Sequence, residues 1–196
     1  MTDFLEENHF IDITPATAEA LCQGKDCTYD PKKNIFTMQL WNSRFEIDCN
    51  QKQITARTPA QTHDYFVIFI IHYLRCTAVG ETIGTWISEK DFPGGVTFFR
   101  GPHQIPTNLI SNRFGNNSDA FAMVCQKLGG QQLAMGDQAY AFDIAPGIKV
   151  ALVYWLGDDE FPPEATLLYD QNLQHRYPLD VIFSLAVEIC YRFDQI

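Results

Sequence analysis

Ten consecutive residues, Tyr65-Phe66-Val67-Ile68-Phe69-Ile70-Ile71-His72-Tyr73-Leu74, are apolar or aromatic at every position but His72. As a helix, this run would be apolar around almost its whole circumference, so it predicts an enclosed element rather than an amphipathic surface helix. Thr58-Pro59-Ala60-Gln61 just upstream reads as a capping-box-like start with Pro at the first helical position, and the helix is predicted to run to about Arg75. The run covers only about half of the roughly 20 residues that a membrane-spanning helix needs. It therefore predicts a central, buried helix that organises a core.

A chain of 196 residues is long enough to bury such a core without staples, and one domain over 1–196 is expected. The 24 acidic against 14 basic residues give a net charge of −10, and no Lys/Arg cluster forms the footprint that phosphate backbones require. Nucleic acid and anionic membrane surfaces are thereby excluded as expected partners. The N-terminus, Met1-Thr2-Asp3-Phe4-Leu5-Glu6-Glu7, is acidic where a secretory signal would be basic, which predicts a cytoplasmic protein. The cysteines at 22, 27, 49, 76, 125 and 190 are then expected as thiols, with Cys125 and Cys190 on apolar helical faces.

Periodicity supplies the remaining elements. A short helix is predicted from about 15 to 23, between Thr14-Pro15 and Gly24. Asn34–Trp41, Arg44–Cys49 and Gln53–Arg57 read as a three-stranded meander within 27–57, turning at Asn42-Ser43 and Asn50-Gln51. Residues 77–117 are rich in Gly, Pro, Asn and aromatics, with one short helix predicted near 103–113. Ser118 is read as the cap of a helix ending at Gly129-Gly130. Gly136–Ile144, Ile148–Leu156 and Ala165–Tyr169 read as strands, and a last helix spans about Leu179 to Phe193. Two strand clusters separated by helices and joined by short turns favour an α+β fold with mostly antiparallel sheet around the buried helix.

Four places carry possible chemistry. Asp158-Asp159-Glu160, with Glu164 and Asp170 nearby, offers carboxylates for a hard cation or an acid–base pair, but lacks calcium-loop spacing, and a solvated turn between strands accounts for it better. His72 and Cys76, four residues apart, would share a helical face as a nucleophile pair or a buried polar pair, with no third member visible. Cys22 and Cys27 have the gap that opens a plant-type ferredoxin motif, but position 30, where the next cysteine is needed, is Asp; packing accounts for the pair better. No metal is expected. The long irregular segment carries Trp86, Phe92, Phe98, Phe99, Arg100 and His103, with Gly94-Gly95 shaping its backbone. Such aromatic walls with a few polar groups suit a small-molecule pocket and equally suit packing of a long loop.

Trp86-Ile87-Ser88-Glu89-Lys90-Asp91-Phe92-Pro93-Gly94-Gly95, Gly129-Gly130 to Gly136-Asp137, and Tyr154-Trp155-Leu156-Gly157-Asp158-Asp159-Glu160-Phe161-Pro162 with Leu168-Tyr169-Asp170 together resemble signature regions of a bacterial and archaeal family. That family is called domain of unknown function 3786, and the likeness covers most of the chain. The resemblance implies an association with anaerobic organisms; some members carry a cysteine-rich iron–sulfur module ahead of this domain, a motif this chain lacks. It supplies no established catalytic residue and no cofactor. The leading expectation is a binding or accessory module serving a small cofactor or protein partner in anaerobic metabolism. Its candidate ligand residues are Trp86, Phe92, Gly94, Gly95, Phe99, Arg100, His103, Trp155, Asp158, Asp159 and Glu160. The alternative is an enzyme using Asp158, Asp159 or Glu160 as acid, base or metal ligand, with Arg100 or His103 orienting substrate.

Overall fold

The structure is a computed structural model and describes residues 5–57, 62–77 and 79–196. Its first sheet is an antiparallel meander of four strands in sequential order, β1 (Cys27–Asp30), β2 (Ile35–Leu40), β3 (Ser43–Asp48) and β4 (Gln53–Ala56). The alternation read in Phe45 and Ile47 holds, and with Phe36, Met38, Leu40 and Ile54 these side chains make the buried face. Two details differ from expectation. β1 adds a fourth strand, since Cys27-Thr28-Tyr29-Asp30 pairs with Met38 to Ile35 despite its weak alternation. The β2–β3 turn lies at Trp41-Asn42 rather than Asn42-Ser43, with both residues at positive φ (38° and 60°), as a tight turn matched to strand twist demands.

Across the first sheet lies α2 (Phe66–Arg75), with seven of its ten residues buried and Phe66 edge-on to Phe45. The start predicted for it at 58–61 lies outside the described residues. The helix packs on α6 (Leu179–Gln195), which buries 12 residues around nearly its whole surface.

The second sheet is also antiparallel, in the order β5 (Trp86–Ile87), β9 (Glu164–Asp170), β8 (Ile148–Trp155), β7 (Gln138–Ala145) and β6 (Gln131–Leu133). Tyr140, Phe142, Val150, Leu152, Tyr154, Leu167 and Tyr169 form its core face. Two further helices support it: α5 (Ser118–Lys127), capped by Asn117 rather than Ser118, and α4 (Asn108–Phe114), which packs between α6 and β9. Phe121 of α5 stacks on Tyr154 at 4.5 Å and touches Phe193 of α6, so the two sheets share one core. The architecture is α+β, as the pattern of strand clusters predicts. Short helices α1 (Ala18–Cys22) and α3 (Gly95–Phe98) complete it.

Candidate functional site

The Trp86–Gly95 stretch proves to be a folding device before it is anything else. Ser88 caps a single 3-10 turn over Glu89–Asp91, and Asp91 Oδ2 accepts from the Ser88 amide and hydroxyl, both at 2.8 Å. Those bonds hold the Asp91 carboxyl below the usual carboxylate range. Phe92 then drops into the core, 2% exposed and edge-on to Tyr169 at 5.5 Å. Gly94 takes the left-handed conformation (φ 81°), and Gly95 opens α3 so close to the preceding turn that a Cβ there would sit 2.0 Å from the Glu89 carbonyl oxygen. Neither glycine is needed for a ligand to explain its presence. Beyond α3, His103 stacks on Phe98 (4.4 Å) and stands edge-on to Phe183 (5.4 Å), which seats this segment on α6.

Half-buried Phe99 and exposed Arg100 line a polar cleft of about 480 Å³. Ser88, Glu89, Lys90, Gln104 and Thr107 share it, and Glu164–Leu167 of β9 close its other wall. The cleft thus joins the irregular segment to the start of β9, not to Asp158-Asp159-Glu160. Trp86 and Trp155 both lie on the sheet's outer face, paired with Asp170 and Glu164 at opposite ends of β9. Six residues of strand separate those ends, roughly 20 Å, so the two indoles cannot wall one pocket.

Asp158-Asp159-Glu160 sit on the hairpin that joins β8 to β9. Asp158 Oδ1 accepts from the amides of Glu160 and Phe161, both at 2.8 Å, while its own amide donates to the Phe161 carbonyl at 2.9 Å. These bonds keep the Asp158 carboxyl below its ordinary range and spend its oxygen on the turn itself. Asp159 and Glu160 point into solvent. Among the described residues, no three His, Cys, Asp or Glu side chains gather where they could hold one metal ion. His72 and Cys76 both line a separate cleft of about 430 Å³ at the end of α2, beside Arg75, Arg176 and Tyr177.

The hairpin's rigidity comes largely from residues outside its own turn. Asn116 grips Gly157 twice, accepting its amide at 2.7 Å and donating to its carbonyl at 3.0 Å. Asp137 accepts the Leu156 amide at 2.8 Å, and the Tyr154 hydroxyl donates to the Gly115 carbonyl at 2.7 Å. Asp170, fully buried, accepts from the amides of Ile83, Gly84 and Asn172 and so fixes the chain entering β5. Asp137, Tyr154 and Asp170 fall in the segments that carry the family resemblance, whereas Asn116 had no signal beyond its place in a Gly/Asn-rich turn. On this scaffold, Trp155 (40%), Leu156 (38%) and Phe161 (67%) stand exposed beside the three carboxylates.

The fold and site define an α+β protein with a braced apolar hairpin and a neighbouring polar cleft. The chain belongs to the family described as domain of unknown function (DUF3786), whose model matches residues 17–192. No curated protein and no solved structure matches it.

Proposed function

We propose that this chain is a binding or accessory module that docks a protein partner through the β8–β9 hairpin, in the anaerobic setting that the resemblance implies. The observation that carries the reading is the pairing of exposure with rigidity at Trp155, Leu156 and Phe161. Large apolar side chains left in water cost free energy, and here the backbone holding them is fixed by Asn116, Asp137 and Asp158. A pre-ordered aromatic and aliphatic tip loses little entropy on binding, the usual property of an interface anchor. Asp158, Asp159, Glu160 and Glu164 surround it without a basic residue between 156 and 164, so the complementary surface is an apolar pocket rimmed by Lys and Arg.

Affinity capture from the source cells tests this, run with the wild-type chain beside Leu156→Glu/Phe161→Glu. A partner held by the wild type, lost by the folded double variant and weakened by salt supports the reading. Equal capture by both chains removes it.

The polar cleft supports a second reading, a small anionic ligand between Lys90 and Arg100. A rise in melting temperature with small carboxylates or phosphates, lost in Arg100→Ala, would favour it.

A further inference from the structure

A second feature lies away from both sites, at the start of the chain. The Sγ atoms of Cys22 and Cys27 are 2.9 Å apart, against about 2.05 Å in a disulfide. Cys22 ends α1 and Cys27 begins β1. Gly24, at φ 72°, turns the chain between them.

The turn is locked by Lys25, whose side chain is buried. Its Nζ donates to the carbonyls of Leu21 (2.5 Å) and Leu74 (3.1 Å), tying α1 to the end of α2. Burial pushes the Lys25 ammonium below its ordinary range, and Cys76, Cys27 and Cys22 lie near enough to oppose that electrostatically. At Cys27 the Lys25 charge favours the thiolate, against the larger opposing effects of burial and of the neighbouring Cys22. Access comes from outside: Cys22 and Cys27 both line an open cleft of about 1020 Å³ with Pro15, Glu19, Tyr29 and Pro31.

We propose that Cys22 and Cys27 form a reversible dithiol–disulfide site, oxidised through this cleft by a low-molecular-weight disulfide. Cys22, at the end of α1, loses its proton to solvent and its sulfur attacks one sulfur of the reactant. The reactant's S–S bond breaks and one small thiol leaves. Cys27 then gives up its proton, and its sulfur attacks Cys22 Sγ in the mixed disulfide and expels the second small thiol. Two protein thiols lose two electrons and two protons; one small disulfide gains both and becomes two thiols. The atoms to be joined are about 0.9 Å from bonding distance, so the second step needs only side-chain adjustment. Burial raises the Cys27 thiol, which suits the resolving role better than first attack. The bond would staple the end of α1 to the start of β1.

The experiment equilibrates the intact protein in a series of oxidised and reduced glutathione, alkylates the remaining thiols in denaturant so that buried ones are reached, and maps tryptic peptides. Lys25 lies between the two cysteines, so trypsin puts them on separate peptides, 1–25 and 26–32, that only a disulfide keeps together. The expected result is that linked pair, reversed by reduced glutathione, while Cys49, Cys76, Cys125 and Cys190 stay alkylated. Cys27→Ser should stop at a glutathione adduct on Cys22, and Cys22→Ser should form neither product at either position. A pair that stays reduced at an oxidant excess that glutathionylates Cys22 in Cys27→Ser would overturn the proposal. So would linkage of Cys22 or Cys27 to Cys76 instead.

Discussion

The Arg192 guanidinium lies over the Trp41 ring, 4.9 Å from its centroid, and donates from Nη1 to the Trp41 carbonyl at 2.6 Å. Trp41 in turn donates its amide to Ile144 of the second sheet (2.7 Å) and its indole N–H to Leu128 (3.2 Å). One residue at the tip of a hairpin therefore joins both sheets, α5 and α6. A tryptophan at φ 38° is strained by about 1–3 kcal/mol, and this ring of partners is what holds it there. Arg192 is kept in place by Glu188, one turn earlier, whose Oε1 accepts from Nε at 2.5 Å while Oε2 accepts the His63 amide at 2.7 Å.

Arg192→Met removes the only cation facing the Glu188 carboxylate among the described salt bridges and frees the Trp41 carbonyl. At pH 8, where that carboxylate is charged, the loss is expected to be about 3–5 kcal/mol by chemical denaturation. Replacing both residues with Met should recover part of it, because the unpaired charge is gone. A single-variant loss below about 1 kcal/mol would show that the pair does not hold the junction.

The same pair predicts an unusual pH profile. Burial pushes the Glu188 carboxyl up to about 7 from an ordinary 4.5, with Arg192 opposing that rise. The folded state therefore holds a proton that the unfolded chain releases. This contribution is fully present below about pH 4.5 and is lost as pH rises through about 7, a fall of roughly 3 kcal/mol at about 1.36 kcal/mol per unit. Glu188→Gln keeps hydrogen-bonding capacity but cannot ionise, so denaturation curves between pH 5 and pH 8 should be flatter than wild type. Parallel profiles for the two proteins would assign the ionisation elsewhere.

Gly95→Ala places a methyl carbon 2.0 Å from a backbone oxygen that cannot move without opening the Ser88–Asp91 turn. A destabilisation above about 2 kcal/mol is expected. Gly94→Ala, at φ 81° but with Leu179 no nearer than 3.7 Å, should cost about 1 kcal/mol. Thermal melts of the two variants separate the readings: if they behave alike, close packing is not why Gly95 is there.

Strong periodic signals were legible from residues alone, and short or tertiary ones were not. α5, α6 and the β7–β8–β9 run follow from apolar spacing over eight or more residues or from unbroken β-branched and aromatic stretches. β5 is two residues long and β6 reads Gln-Gln-Leu, so neither has a pattern to detect; each exists because a neighbouring strand offers an edge. The Trp41-Asn42 turn escaped because a bulky residue at positive φ is paid for by partners more than a hundred residues away. At the candidate site, the linear order carries the aromatic and acidic residue types, but their spatial grouping depends on β9. That strand puts Glu164 in the cleft with Arg100 and places Trp86 and Trp155 at opposite ends. Nothing in the linear order of Asp158, Asp159 and Glu160 reveals that the first is consumed by its own turn.

That last point gives a prediction on divalent cations. A hard cation needs several oxygens converging at about 2.0–2.6 Å, whereas Asp158 Oδ1 already accepts two amides and its neighbours face water. Millimolar Mg²⁺ or Ca²⁺ should leave the melting temperature unchanged at constant ionic strength. Asp158→Ala should loosen the hairpin, seen as faster amide exchange at Glu160 and Phe161, in the presence or absence of the cation. If either ion instead raised the melting temperature of the wild type and not of Asp158→Ala, the carboxylates would have to be regrouping around metal. The acidic loop would then be a ligand set rather than the rim of a docking surface.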